Sequence, residues 1–281
     1  MRCGRSPGSR SRRNFYGATV ESLDFASNPA AAADAINRWV NHNTNGKIPT
    51  IIGEPESNTR LVLTDAVYFK GKWRSPFDPK KTQPRAFHLT RDAFTQAPMM
   101  AQEGSYPYFE TESFQAIRLA YGNGSYEMYV FLPRESEGLP DLMKSLNQQR
   151  WNEWRANFLE HKGRIELPRF ESRWGRQLNP ALKAMGMATA FDPDHADFSR
   201  IHTPPPSLFI SVVQHKTYVK VDEEGTEAAA ATSVTVAATS AIIREPPPFE
   251  MIVDHPFFFA IAERQSGAIL FTGVMMDPTK G

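Results

Sequence analysis

The stretch that decides the fold runs from Asp222 to Ile243 and reads DEEGTEAAAATSVTVAATSAII. An acidic turn with one glycine opens it, and no proline, aromatic or positively charged residue interrupts it from Gly225 to Ile243. The Glu-Ala-Ala-Ala-Ala run favours a helix by intrinsic propensity. A low-complexity run of small residues is also typical of a flexible linker. Composition alone therefore leaves these two interpretations open, together with a third.

The third interpretation is a strand. In an extended chain, alternate side chains point to opposite faces. One face would carry Val234 and Val236 among small residues, and the other would carry Glu227 and Ser233. This is a weak half-buried strand pattern. Its side chains are small enough for the segment to enter between two neighbouring strands. A segment compatible with loop, helical turn and strand favours a conformational switch.

The composition is that of a soluble globular protein. Among 281 residues, 41% are hydrophobic and 22% are charged. The 32 basic and 31 acidic side chains leave a net charge of +1, which argues against a nucleic-acid or anionic-membrane partner. The single cysteine, Cys3, excludes an internal disulfide and a cysteine-built metal site. No apolar run reaches transmembrane length.

The N-terminal residues 1–15, MRCGRSPGSRSRRNF, are basic and polar without an apolar centre. They do not resemble a secretory signal, and we expect a disordered tail. No internal repeat or linker divides the rest, so residues 16–281 are predicted to form one domain.

The remaining pattern predicts an α+β architecture with large antiparallel or mixed sheets and flanking helices. Strands are expected at Ala18–Phe25, at Leu61–Trp73 as one long buried strand, and on both sides of the Gly122–Ser125 turn. Helices are expected after a cap at Asn28, from Leu139 to Phe158 with a break near Gln148, and at Leu178–Met187. Further strands are expected at Arg164–Phe170, between the last two of these helices, and at Leu208–Val221, Phe249–Val253, Phe257–Ala262 and Ala268–Met275.

Motifs for catalysis are missing from the sequence. It has no H-E-x-x-H, no G-x-S-x-G and no phosphate-binding or dinucleotide fingerprint. Asp192, Asp194, His195 and Asp197 form a candidate metal cluster, but an exposed acidic loop that caps neighbouring backbone is the favoured interpretation. We therefore predict that the protein is not an enzyme and needs no metal or cofactor.

Several segments resemble serpins, particularly bacterial-type ones, in the order in which that family has them. Val221–Thr232, VDEEGTEAAAAT, resembles the proximal hinge of the serpin reactive-centre loop, and Leu61–Trp73, LVLTDAVYFKGKW, resembles the third strand of serpin sheet A. Other matching segments are IELPRF at Ile165–Phe170, DHPFFFAI at Asp254–Ile261 and GAILFTGVMMDP at Gly267–Pro278.

The resemblance implies a suicide-substrate inhibitor of serine endopeptidases, with cysteine endopeptidases as a second target class. A reactive-centre loop at about 222–248 would be cleaved and would then insert into sheet A. The hinge would comprise Gly225, Thr226, Glu227, Ala228, Ala229, Ala230, Ala231 and Thr232. The family's loop length places the reactive bond at Thr239–Ser240, which suggests an elastase-like or subtilisin-like target. Arg244 is the rival position and implies a trypsin-like target.

The resemblance also assigns residues to two sites in sheet A. Glu223 and Arg169 match an ion pair at the top of the sheet, the breach, beside Trp73. His215 matches the buried histidine of the shutter, where strands three and five separate. Asp65 departs from the family, which usually has Asn there, and a carboxylate would favour a charged histidine.

The resemblance covers residues 18–278, and the N-terminal helices and second sheet A strand of the family have no counterpart. We therefore expect an N-terminally truncated serpin-like fold, monomeric if intact and able to self-associate because of the truncation. The alternative function is a non-inhibitory or defunct serpin fragment that only binds or self-associates. The family favours an extracellular location, although the chain carries no signal peptide.

Overall fold

A computed structural model describes residues 18–201, 207–226 and 247–280. The chain forms two compact units, Met1–Tyr68 with Arg173–Tyr218, and Phe69–Ser172 with Val219–Gly281. Within the described ranges, no helix is both long and apolar enough to cross a membrane. The helices are α1 Pro29–Asn43, α2 Leu139–Ser145, α3 Gln148–Ala156 and α4 Asn179–Leu182. The strands are β1 Leu61–Tyr68, β2 Gly71–Lys72, β3 Gln83–His88, β4 Phe94–Glu110, β5 Phe114–Tyr121, β6 Tyr126–Pro133, β7 Leu159–Pro168, β8 Phe170–Gln177, β9 Ile210–Val221, β10 Gly225–Thr226, β11 Phe249–Ile252, β12 Phe257–Glu263 and β13 Ile269–Met275.

Helix α1 of the first unit begins where the sequence predicted. The Asn28 side chain accepts a hydrogen bond from the backbone N–H of Ala31, and Pro29 occupies the first turn. The helix buries Ala33 and Val40 against a cluster completed by Ile48, Ile51, Ile52 and Tyr218. Gly46, with φ of 78°, reverses the chain after the helix.

The sheet of the first unit has the order β1-β9-β8. Strands β1 and β9 are parallel and directly paired, from Leu61 opposite Ile210 to Tyr68 opposite Tyr218. The predicted long buried strand is wrong in two respects: β1 ends at Tyr68, and most of its residues are only half-buried. Residues 18–25 form no strand, because alternation over so few residues does not supply a pairing partner.

The predicted helix at Leu178–Met187, with Gly186 as its stop signal, is present as helical turns over Asn179–Met187, but only its first part is α-helical. Only the four residues of α4 are α-helical, and a π-helical turn follows at Lys183–Met187. Gly186 has a φ of 96°, which is outside the helical region and ends the turn.

In the second unit, an eight-stranded sheet of the described residues has the order β11-β7-β4-β5-β6-β12-β13, with β3 paired to β4. Strand β4 is 17 residues long and pairs successively with β3, β7 and β5. Helices α2 and α3 are separated as predicted near Gln148, because the Asn147 side chain caps α3. They cover a buried aromatic cluster that includes Phe114, Phe131 and Trp154. Helices and large sheets together confirm the α+β class.

Candidate functional site

The predicted breach residues Trp73, Arg169 and Glu223 all lie in the second unit, and the fold brings them together. Arg169 follows β7, and its backbone N–H donates to Pro98 O at 2.9 Å. Its side chain reaches Glu223, where Nε lies 2.7 Å from both carboxylate oxygens and a second guanidinium nitrogen completes the ion pair. The Thr82 hydroxyl also donates to this carboxylate. Glu223 is 4% exposed, so the pair is shielded from water on the acidic side.

The electrostatics of Glu223 favour the ionised carboxylate. Burial alone would raise the pKa of Glu223, but the hydrogen bonds from Arg169 and Thr82 outweigh it and hold the pKa below its ordinary value. The carboxylate therefore stays charged and bound at neutral pH.

Trp73 fixes the backbone on either side of Glu223. Its ring Nε1–H donates to Asp222 O at 2.8 Å, and its backbone N–H donates to Glu224 O at 2.9 Å. The indole is 4% exposed and stacks on Tyr121, with ring centroids 4.3 Å apart and an interplanar angle of 12°. Nothing in the sequence had indicated Tyr121 or Thr82, because neither belongs to a motif and both lie far from Glu223 along the chain.

Gly225 starts the predicted hinge in a conformation that requires glycine. Its φ is 124°, and it pairs with Lys72 across the β10–β2 ladder. A Cβ at this position would lie 2.5 Å from Trp73 N and 2.7 Å from Lys72 Cα. The backbone of Asp222 and Gly225 closes the turn through two hydrogen bonds of 3.0 and 3.2 Å. The single glycine of the acidic turn is therefore where the chain reverses against β2.

The predicted shutter residues Asp65 and His215 lie in the first unit, opposite each other on β1 and β9. His215 Nδ1 is 2.8 Å from Asp65 Oδ2, and the Trp174 ring packs edge-on to the imidazole at 5.8 Å. The Asp65 side chain is 67% exposed, whereas that of His215 is 22% exposed. The pair therefore bridges two adjacent strands at a solvent-facing position. Sequence reasoning did not identify Trp174 as a neighbour.

The rest of the predicted site lies outside the described residues. This holds for the hinge positions Glu227, Ala228, Ala229, Ala230, Ala231 and Thr232, for the predicted bond at Thr239–Ser240 and for its rival Arg244. Of Thr226, the structure describes the backbone, which pairs with Gly71. The predicted basic tail at 1–15 is likewise outside.

The acidic loop after Phe191 caps its own backbone. Asp192 accepts hydrogen bonds from the N–H groups of Asp194 and His195 at 2.8 and 3.1 Å, and Asp197 accepts from that of Ser199 at 3.0 Å. His195 turns back onto Asp192, with Nδ1 3.0 Å from Oδ2. Across the described parts of the chain, no group of three or more acidic, histidine or cysteine residues is arranged to hold a metal ion.

Comparison with known proteins identifies relatives across the length of the chain. The family model described as "Serpin (serine protease inhibitor)" matches residues 9–278. A serpin-like protein of Thermococcus kodakarensis is 38% identical over 270 residues, which are 96% of this chain and 62% of that protein. Human serpin B3 is 36% identical over 272 residues, which are 95% of this chain and 68% of that protein. The chain thus spans about two thirds or less of the length of these relatives.

Solved structures agree with the family match. Uncleaved ovalbumin superposes with a TM-score of 0.84 at 28% identity, covering 97% of this chain and 69% of ovalbumin. Thyroxine-binding globulin in complex with thyroxine gives a TM-score of 0.84 at 27% identity, covering 96% of this chain and 70% of the globulin. The fold is that of serpins, whose family description is one of protease inhibitors and not of catalytic enzymes. This chain belongs to the serpin family.

Proposed function

We propose that the chain carries the inhibitory machinery of a suicide-substrate inhibitor of serine endopeptidases, with cysteine endopeptidases as a second target class. The main support is the set of contacts that Arg169 and Thr82 make with the Glu223 carboxylate, here called the hinge clamp. The hinge clamp holds the chain directly before Gly225, here called the glycine pivot, where the proposed hinge begins. The direct pairing of β1 with β9 supports it further, because an inserting strand would have to separate these two strands.

The inhibitory step is a cleavage that does not run to completion. The protease nucleophile attacks the carbonyl carbon of Thr239, and the bond from this carbon to the nitrogen of Ser240 breaks. The proton lost by the nucleophile is transferred to that nitrogen, so Ser240 leaves as a free amine. The protease is then bound to Thr239 as an ester, or as a thioester for a cysteine enzyme. Insertion of the freed loop into sheet A would carry the bound protease away before water hydrolyses this acyl-enzyme.

The loop sequence suits rapid entry into a sheet. From Gly225 to Thr239 the inserted strand would span roughly 46 Å at about 3.3 Å per residue. Around a dozen new ladder hydrogen bonds at about 0.5–1.5 kcal/mol each give a driving force on the order of 10 kcal/mol. No proline interrupts the segment, so no ladder bond is deleted. The side chains are small, which limits the room that must open between neighbouring strands.

The proposed target has a pocket for a small side chain. Thr239 would precede the cleaved bond, which favours elastase-like and subtilisin-like enzymes. Cleavage after Arg244 would instead indicate a trypsin-like enzyme.

Incubation with pancreatic elastase and with subtilisin tests the proposal. The expected result is a covalent complex that survives boiling in detergent and contains one chain of each partner. The same protease inactivated at its nucleophile is the control, and it should form no such complex. Quantitative cleavage of the loop with no complex would contradict inhibition by this chain.

The second candidate function is a serpin that only binds or self-associates, and strand β13 favours it. Among the described residues β13 pairs only with β12, so it is an edge of the eight-stranded sheet. Ile269, Leu270, Val274 and Met276 are each 44–52% exposed along or next to this edge, which no charged side chain interrupts. Exposed apolar edges of this kind pair readily with other chains. Light scattering over a range of concentrations would show a rising mass if this surface associates.

A further inference from the structure

A cavity of about 370 Å³ opens in the second unit beside strands β3, β4 and β7. Two apolar residues, Met99 and Ala101, contribute to its lining. Ala101 lies opposite Glu166 in the β4–β7 ladder. The lining carries four basic side chains, Lys80, Lys81, Arg85 and Arg164, and two acidic ones, Glu103 and Glu166.

The two acidic residues do not cancel the excess positive charge of the cavity lining. Glu166 is 1% exposed, and its carboxylate is shared between two guanidinium groups. Oε1 lies 2.5 Å from Arg164 Nη2, and Oε2 lies 3.2 Å from Arg85 Nε. Glu103 is 75% exposed on its side chain and 4.0 Å from Arg164 Nη1, so it is well solvated. The lining of the cavity therefore carries two positive charges in excess.

Several donors in the cavity remain available. Arg164 lines the cavity with a side chain that is 38% exposed, although its Nε is fully buried and is closed to a ligand. The contact of Arg85 with Glu166 is an ion pair without hydrogen-bond alignment, since Glu166 Oε2 also lacks a hydrogen-bond partner there. None of the ion pairs found in the described residues involves Lys80 or Lys81, whose short turn at Pro79–Lys81 is capped by Asp78. Grouped guanidinium and ammonium donors of this kind are the usual partners of phosphate and sulfate groups.

We propose that this cavity binds a divalent oxyanion, phosphate or sulfate, either free or carried on a longer polyanion. Lys80 and Lys81 would supply the charge at the rim, and Arg85 and Arg164 would donate from the wall. A cation is disfavoured there, because both oxygens of the buried Glu166 already face guanidinium groups. The proposed site is directly connected along the chain to the hinge clamp, since Thr82 follows Lys81 and donates a hydrogen bond to Glu223.

Calorimetric titration of the full chain with phosphate, with sulfate and with a polyphosphate, at constant ionic strength, tests the proposal. Lys80→Gln with Lys81→Gln removes two charges without removing a partner of Glu166. The matched control, Lys144→Gln with Lys280→Gln, removes two exposed charges elsewhere. We expect the first variant to bind at least about tenfold more weakly, equivalent to about 1.4 kcal/mol, and the control to bind like the wild type.

The arms of the experiment separate the sources of the anion. Binding of phosphate or sulfate alone identifies a site for the free anion, and binding of polyphosphate only identifies a site for an extended polyanion. Both outcomes support the site if the Lys80/Lys81 variant loses the binding. Equal binding by the two variants, or no heat of binding with any of the three anions, would overturn it. None of these outcomes depends on inhibition of a protease.

Discussion

Arg169 and Glu223 are 54 residues apart in sequence and form a two-point contact, with Arg169 Nε 2.7 Å from each carboxylate oxygen of Glu223. The contact holds the last turn before the predicted hinge. The Glu223 carbonyl also accepts a hydrogen bond from the Phe77 backbone N–H at 2.9 Å. The side chain and the main chain of Glu223 therefore tie the start of the loop to two separate segments, at Arg169 and at Phe77.

Glu223→Gln should destabilise the fold by about 1–3 kcal/mol at neutral pH, because it removes the charge from a buried acceptor of two donors. The pKa of Glu223 is held below its ordinary value, which is about 4.3. Its contribution is therefore complete above that pH and is lost as the pH falls through the folded-state pKa. Urea unfolding at several pH values from 7 to 3 measures this.

The control for this prediction is Glu137→Gln, since the Glu137 side chain is 57% exposed and 3.6 Å from Arg91. It should change the free energy of unfolding by less than about 1 kcal/mol. An unchanged difference between wild type and Glu223→Gln from pH 7 to pH 3 would show that the pair makes no charge-dependent contribution.

Gly225→Ala should loosen the hinge anchor. At a φ of 124° an alanine is strained by about 1–3 kcal/mol, and its Cβ would collide with the backbone of Lys72 and Trp73. Hydrogen exchange at residues 222–226 should become faster, with a lower midpoint of thermal unfolding. Gly53→Ala is the matched control, since a Cβ there meets nothing within 4 Å. Equal exchange rates in both variants would contradict the claim that the turn at residues 222–226 requires glycine at position 225.

Asp65→Asn should change the free energy of unfolding by less than about 1 kcal/mol. Asp65 is largely exposed, so its contact with His215 is screened by water, and Asn keeps an oxygen that can accept a hydrogen bond from the imidazole. Asp65→Ala loses that acceptor and should be the less stable of the two. Thermal unfolding of both variants decides it. A loss of several kcal/mol in Asp65→Asn would show that the charge itself holds β1 to β9.

Ala230→Pro should convert an inhibitor into a substrate. A proline in the middle of the inserting segment deletes a ladder hydrogen bond and slows entry into the sheet, so the acyl-enzyme is hydrolysed first. Glu245→Pro, which lies beyond the predicted bond and next to the natural Pro246, should still form the complex. Densitometry of complex and cleaved chain measures the partition. A complex yield that is equal in the two variants would exclude insertion of this segment.

Local chemistry decided which elements the sequence could predict. Asn28 and Asn147 cap their helices through their own side chains, and Gly122 and Gly124 take the positive φ of 48° and 86° that their turn needs. Each of these signals acts within a few residues. Elements defined by distant partners were missed or misjudged, such as the full length of β4 and the exposed strand β8, which has no alternating apolar pattern.

The candidate site shows the same division. Glu223, Arg169, Trp73 and His215 came from resemblance, because no local pattern relates residues so far apart in the chain. Thr82 and Tyr121 carried no signal of either kind, and the structure alone brings them to the clamp. The sequence shows a glycine at position 225, but only the structure shows why glycine is needed there: the backbone of β2 approaches too closely for a Cβ.

The covalent complex with elastase, analysed for its cut site, tests the central claim most directly. We expect a detergent-stable complex, together with a released C-terminal peptide whose first residue is Ser240. A peptide beginning at Glu245 would move the reactive bond to Arg244 and keep the mechanism. Complete loop cleavage with fully active protease and no complex would contradict inhibition by loop insertion.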